Sequence, residues 1–479
     1  MPSLWDPPAG TIPTMPVPSL EGVRTAHLVG IGGAGMRNLA KLLVARGLDL
    51  SGSDLKDSLG LDALRDLGAR VHLGHDPAHV DGADVVIVST AIRRSNPELL
   101  EAERRTIPVW ARQQAIAALA AGRTAIAVTG THGKTTTTSM VAAIAEHAGL
   151  DPSYLIGGDL NESGSGARAG EGNVFIYEAD ESDGSFLLGS PALGVLTNVD
   201  VDHVDFYPGG RDEIQRAFAE FASRCARMVA WGDDPGVRAA LALAGVGDGA
   251  TITYGESDGN DIVVAVLHLG PEGARGSLRM EDGTEVGLEL DIDGPHNLLN
   301  AAAAVAAARE IGVSPDEAVR ALRSFAGVHR RFEFRGSARG AEFYDDYGHT
   351  PTEMTVTLET ARRRRPGRLI ALVQPHRYAR VRALWRELGA SVVGADLVLV
   401  TDVYGADQDP IPGVTGALVV EGARLASPST RTVYLPHRYD VIEYLDREVR
   451  EGDLVVTMGC GDVWMLGDAA LARIRGDDA

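Results

Sequence analysis

At 479 residues, with 44% apolar and 23% charged side chains, the chain is too long for one hydrophobic core and has the balance of a soluble globular protein. Its 45 Lys and Arg against 66 Asp and Glu give a net charge of −21, which argues against a nucleic-acid duplex as partner and makes local clusters of cations informative. Cys225 and Cys460 are too few for a disulfide framework and have no metal-ligand spacing, as expected in a reducing cytosol.

Met1–Leu20 carries several prolines and no Lys or Arg, and reads as a flexible leader rather than a signal peptide. No apolar run has the length of a membrane span, because Arg123 interrupts the longest candidate; no membrane association and a cytoplasmic location are expected. Thr25–Gly30 reads as a strand. Gly30-Ile31-Gly32-Gly33-Ala34-Gly35 follows, then a helix to about Arg46 and a second strand near Leu48–Gly52 ending at Asp54. That is a βαβ opening with GxGxxG and an acidic residue about twenty positions on, a pattern a dehydrogenase would use for NAD. A strand at Asp84–Ser89 and a helix around Asn96–Glu103 continue the unit, which closes near Gln114–Gly122.

Thr124–Thr138, TAIAVTGTHGKTTTT, is the most informative stretch. A β-branched and apolar strand, a glycine turn and a helix opening with Lys134-Thr135 form the order a nucleotide phosphate needs. Helix N–H groups converge on the anion, and glycines let the backbone approach it. Lys134 would reach the β- and γ-phosphates and the Thr135 hydroxyl would sit on Mg²⁺, although the spacing is G-x-x-G-K-T rather than GxxxxGK[ST].

Val174–Glu178, Leu193–Asn198 and Arg227–Trp231 read as buried parallel strands, Thr251–Leu290 as a small antiparallel sheet and Asn297–Ile311 as an alanine-rich helix. A third unit begins around His329, with strands at Ala341–Asp345, Leu369–Val373, Leu397–Thr401 and Leu454–Met458. The division is a leader over 1–20 and three α/β units over 21–122, 123–328 and 329–479, with ligand sites at the loops after strand C-termini. The run Arg362–Arg365 reads as a solvated helix end.

Glu178, Asp180, Glu181 and Asp183 fall within six residues, an expensive gathering unless a cation neutralises it. His203 lies among Asp200, Asp202 and Asp205. Asn297 reads as an N-cap of the alanine-rich helix. Arg330 and Arg331, adjacent at a domain joint, fit a phosphate clamp closed by domain motion. Arg377 and Arg380 are three apart, on one face of a helix start, and suit an α-carboxylate.

In this order the motifs resemble those of the Mur ligase family, ATP-dependent enzymes that add amino acids to the UDP-muramoyl precursor of bacterial cell wall, over nearly the whole chain after the leader. The resemblance implies a Rossmann-like N-terminal domain, a central P-loop ATPase domain and a Rossmann-like C-terminal domain. For ATP it implies Gly130, Thr131, His132, Gly133, Lys134, Thr135 and Thr136. Asn297 would meet the adenine edge, Arg331 the transferred phosphate and Asp346 the ribose side. It puts one Mg²⁺ on Thr135 and Glu178 and a second on His203, which makes Lys134, His203 and Arg331 the catalytic set. Tyr347 and His349 would lie near the incoming amino acid, whose carboxylate meets Arg377 and Arg380.

The resemblance also reassigns the first glycine loop. Gly33, Ala34, Gly35 and Met36 would cradle a UDP diphosphate and Asp54 would face the uridine, with His72, Ser89, Thr90 and Arg112 serving the same nucleotide-sugar. His75 and His79 read as surface histidines. EADESD followed by Ser185-Phe186-Leu187, the stretch Gln374–Tyr378 (QPHRY) and the absence of Lys between His203 and Phe218 look like the branch that joins L-alanine to UDP-N-acetylmuramate. Thr350 stands where that branch usually has a second His. The tripeptide-recycling branch, a non-catalytic nucleotide-sugar-binding protein and an NAD-dependent dehydrogenase stay open as alternatives.

Overall fold

The computed structural model describes residues 17–57, 59–89, 92–157, 165–203, 206–406 and 408–476; Thr90, Asp205 and positions 1–16 of the leader lie outside them. Among the described residues the strands form three sheets. The first is five-stranded and parallel, in the spatial order Arg70–Leu73, Asp49–Asp54, Thr25–Val29, Val85–Val88, Val109–Ala111. Val85–Val88 is buried throughout. Its two faces meet different cores: Val85 and Ile87 pack with the helix Ala34–Ala45, and Val86 and Val88 with Leu99 and Ala102 of the helix Pro97–Arg104.

The second sheet has ten strands, and Thr124–Thr129 lies at its centre between Leu193–Leu196 and Val174–Glu178. It runs outward through Arg227–Trp231 and Thr251–Gly255 to Ile262–Gly270, where Gly273–Arg279 and Glu285–Leu290 turn it antiparallel. The expected small antiparallel sheet is therefore the edge of the large one. Parallel pairing of Tyr254 with Ile262 and of Gly255 with Val263 makes the join. The helix Pro295–Glu310 lies under this sheet with Leu298 and Ala301–Ala308 fully buried, because alanine lets a helix approach its neighbours closely.

The third sheet has six strands in the order Glu333–Ala338, Ala341–Asp346, Asp453–Met458, Arg368–Val373, Leu397–Val400, Arg431–Tyr434, parallel except for the first. The arginine run is less solvated than its composition predicts. Arg363 pairs with buried Asp293 of the central domain at 3.2 Å, and Arg364 lies 4.9 Å over the Tyr344 ring.

His75 and His79 are a second correction. Both point inward at Glu98, which is fully buried. Glu98 accepts hydrogen bonds from Ser53 Oγ at 2.6 Å, His75 Nδ1 at 3.0 Å and His79 Nδ1 at 2.7 Å, and His27 Nε2 lies 3.6 Å away. Burial pushes this carboxyl up, but the nearby His27 ring and hydrogen bonds from Ser53 and His79 outweigh it and hold the pKa at about 2, against 4.5 for a free glutamate. The stability this group provides is thus present above pH 4.5 and is lost as pH falls toward 2. Glu98→Ala is expected to lower unfolding free energy by about 3–5 kcal/mol at neutral pH and to flatten the acid limb of the stability curve, as read by urea titration across pH.

Candidate active site

The P-loop follows the strand Thr124–Thr129 and runs into the helix Lys134–His147, at the expected bounds. Gly130 has φ +129° and Gly133 φ +80°, and a Cβ at Gly133 would stand 2.6 Å from Asn300 Oδ1. Only glycine fits both positions. Thr135 and Thr136 are buried in the first turn. Backbone N–H of His132 donates to Asn198 Oδ1 at 2.8 Å, which ties the loop to the neighbouring strand end. Lys134 folds back onto its own loop, donating to Gly130 O at 2.6 Å and Thr131 O at 3.2 Å, and pairs with Glu181 at 2.8 Å.

Three ligand atoms of Asp180, Glu181 and His203 lie within 4.8 Å of one another beside Lys134. His203 has φ +50°, and its Nδ1 is buried without a hydrogen-bond partner. Burial pushes Glu181 up, against the pull of Lys134; burial also opposes ionisation of Asp180, but Lys134, His203 and Arg112 hold its carboxyl below the usual range. Two carboxylates and one imidazole are a donor set that fits a hard divalent cation. Glu178 is outside this group: its Oε2 accepts from Gly157 N–H at 3.0 Å. His203 thus shares its pocket with Asp180 and Glu181. The same EADESD stretch carried the signal, but it did not say which carboxylates turn inward.

Asn297 is the third residue of its helix, with Gly294 at the N-cap, so the N-cap reading is corrected. Its side chain donates to Asp293 O at 2.8 Å and accepts from Asn300 at 3.3 Å. The arginine pair divides. Arg330 is committed to its own domain through Asp345 at 2.8 Å and the carbonyls of Gly459 and Gly461. Arg331 lies 5.1 Å over the Tyr347 ring, with no ion-pair partner among the described residues. Asp346 faces three donors of its own domain, Phe332 N–H, Gly348 N–H and Thr357 Oγ1, at 2.8–2.9 Å.

Arg377 is the N-cap of the helix Tyr378–Ser391, with φ +63°, and Arg380 is the third residue of that helix. Arg380 is buried and reaches across to the central domain, where Nε and Nη2 bind Asp202 Oδ1 at 2.9 and 2.7 Å. A second bridge joins the same domains. Glu353 Oε2 accepts from His349 N–H, Thr350 N–H and Thr350 Oγ1 at 3.0–3.2 Å, and its Oε1 lies 3.2 Å from His132 Nδ1 of the P-loop. Thr352 Oγ1 donates to Asp200 at 2.9 Å. Burial would neutralise His132, but Glu353 and Asp200 raise it to about 9, so it is a cation at neutral pH. Thr350, in place of the usual His, is the N-cap of the helix Pro351–Arg363.

In the first domain Gly33 caps the helix that begins Ala34-Gly35-Met36. Asp54 Oδ2 accepts from Gly32 N–H at 2.9 Å, and a Cβ at Gly35 would collide with the Arg112 guanidinium. Arg112 so faces both this loop and Asp180. His72 stacks on His79 at 4.1 Å, and Ser89 is partly buried just beyond the strand Val85–Val88.

Residues 25–124 match the Mur ligase family catalytic domain, residues 128–308 the Mur ligase middle domain and residues 330–461 the Mur ligase glutamate ligase domain. The chain belongs to the Mur ligase family. This Mur ligase is 44% identical over 465 residues to the UDP-N-acetylmuramate–L-alanine ligase of Thermobifida fusca (strain YX), covering 95% of this chain and 97% of that one. To the like-named protein of Kineococcus radiotolerans it is 46% identical over 457 residues, covering 93% and 95%. The solved UDP-N-acetylmuramate–alanine ligase of Thermotoga maritima superposes with a TM-score of 0.80 at 26% identity, covering 95% of this Mur ligase and all of that chain. The murein peptide ligase of Psychrobacter arcticus superposes at 0.70 and 25%.

Proposed function

We propose that this Mur ligase joins L-alanine to the lactyl carboxylate of UDP-N-acetylmuramate at the cost of ATP. The nucleotide-sugar would bind residues 21–122, ATP residues 123–328 and the amino acid residues 329–479. The observation that carries the reading is the convergence of three domains on one pocket: Lys134 and His203 from the centre, Arg112 from the first domain, Arg380 from the third. Two free cysteines, and no helix of the described residues long and apolar enough to cross a membrane, fit a cytosolic enzyme.

A carboxylate resists attack by an amine because oxide is a poor leaving group. Transfer of the ATP γ-phosphoryl group to the lactyl oxygen gives an acyl phosphate. The alanine nitrogen then attacks its carbonyl carbon, the C–O bond to phosphate breaks, the nitrogen loses a proton, and amide, ADP and phosphate result. Lys134 neutralises charge on the phosphates, and Arg331 is positioned to join it from the domain joint. Arg377 and Arg380 hold the α-carboxylate and so aim the amine. Asp180, Glu181 and His203 would hold magnesium, with Thr135 and Glu178 beside them; when bound, the ion supplies Lewis-acid polarisation of the phosphate oxygens.

The experiment is phosphate release from ATP with UDP-N-acetylmuramate, with and without L-alanine, against glycine, L-serine and the tripeptide. Release that depends on L-alanine supports the reading. Release with the tripeptide alone would move the protein to the recycling branch, and none under any condition would leave a nucleotide-sugar-binding protein. Glu353→Gln tests the domain bridge: kcat/KM is expected to fall about tenfold, because closure loses a charged partner of His132. Calorimetric affinity for the UDP-sugar should not change.

A further inference from the structure

Three donors of a different character converge in the C-terminal domain. One ligand atom each of His349, His376 and Cys460 lies within 4.8 Å of the other two. They come from the loops beyond the C-terminal ends of three adjacent parallel strands, Ala341–Asp346, Arg368–Val373 and Asp453–Met458. Sequence spacing hid the group because 27 residues part the histidines and 84 part His376 from Cys460. Sheet topology brings them together.

The hydrogen bonds fix the ring states. His349 Nδ1 lies 3.1 Å from the Tyr347 carbonyl, which only accepts, so Nδ1 carries the proton and Nε2 presents its lone pair. A carbonyl behind the ring is the support that metal-bound histidines use. Arg380 Nη1, which only donates, lies 3.0 Å from His376 Nδ1, so that ring holds its proton on Nε2. Coordination through Nε2 moves this proton to Nδ1 and breaks the Arg380 Nη1 hydrogen bond there, so Nη1 turns to the His376 carbonyl, now 3.4 Å away, while Nε and Nη2 keep Asp202. The two rings stand 5.4 Å apart at 77°. Burial pushes the Cys460 thiol up to about 12, with Arg380 pulling the other way, so a metal must displace its proton.

We propose that His349, His376 and Cys460 form a site for a thiophilic divalent cation of the zinc type, separate from the hard pocket of Asp180, Glu181 and His203. Two imidazoles and a thiolate select zinc or cadmium over magnesium, whereas two carboxylates and an imidazole do not. Binding forms one metal–sulfur and two metal–nitrogen bonds and releases one proton, that of the Cys460 thiol, to solvent. The site shares His349 with the amino-acid subsite of the proposed function and rests on that reading in one respect: the bound cation excludes L-alanine.

The test is titration of the full chain with Cd²⁺ and Zn²⁺ in excess Mg²⁺, which keeps the carboxylate pocket filled. One equivalent of Cd²⁺ should produce a thiolate-to-metal charge-transfer band, with one proton released per ion in weakly buffered solution. Cys460→Ser should lose the band and bind zinc at least about 100-fold more weakly, while Cys225→Ser retains both. Zinc should raise the KM for L-alanine in the wild type and not in Cys460→Ser, whose turnover without zinc is unchanged. Absence of the band in the wild type overturns the site, and this arm needs no folded variant. Equal zinc affinity in Cys460→Ser overturns it too. A band that depends on Cys460 with no effect of zinc on the KM for alanine keeps the metal site and rejects the placement of alanine at His349.

Discussion

Lys134→Ala is expected to reduce phosphate release by about 10³-fold with all three substrates saturating. Lys134 is the ammonium on the P-loop, and its contacts with Gly130 O, Thr131 O and Glu181 hold it where phosphate oxygens would arrive. A neutral side chain leaves the transferring phosphoryl group without that compensating charge. The variant should still fold. Removing Lys134 strands Glu181, but burial already pushes that carboxyl toward its neutral form, so it takes up a proton instead of remaining a buried anion. Steady-state phosphate release measures the loss, and unchanged UDP-sugar binding shows that the fold persists. Near-normal turnover would refute the assignment.

Arg380→Met is expected to raise the KM for L-alanine about 100-fold and to leave the KM for ATP within about twofold. The Arg380–Asp202 bridge gives this a second part. Both side chains are nearly buried, at 5% and 7% exposure, and Asp202 presents to Arg380 the same group as an amino-acid carboxylate. Alanine must therefore displace Asp202 or share Arg380 with it. Asp202→Asn weakens the competitor and should lower the KM for alanine by about threefold, with a double variant that departs from additivity. Equal shifts in the KM values for alanine and ATP would reject the carboxylate role of Arg380.

Local features were the legible ones. The P-loop strand and helix fall at the expected residues because a buried apolar run, two glycines with positive φ and a helix start are all encoded within fifteen positions. The parallel strands followed from their continuous apolar runs. What stayed hidden lies between distant segments. Glu98 gathers Ser53 from the strand Asp49–Asp54 and His75 and His79 from the segment after the strand Arg70–Leu73, and each histidine alone reads as surface. Asp202 is 178 residues from Arg380, and Glu353 is 221 from His132. The choice among the four clustered carboxylates depended on a turn conformation that residue types alone do not specify.

The alanine-rich helix Pro295–Glu310 constrains how such an enzyme works. A methyl group has no rotamers, so the alanines at 301–304 and 306–308 have no alternative side-chain arrangement to adopt and lose no side-chain entropy on folding. The bed beneath the nucleotide loop acts as an anvil. Whatever travel catalysis requires must be taken up by whole bodies turning about the short joint at Val328–Phe332, where Arg330 and Phe332 both adopt positive φ.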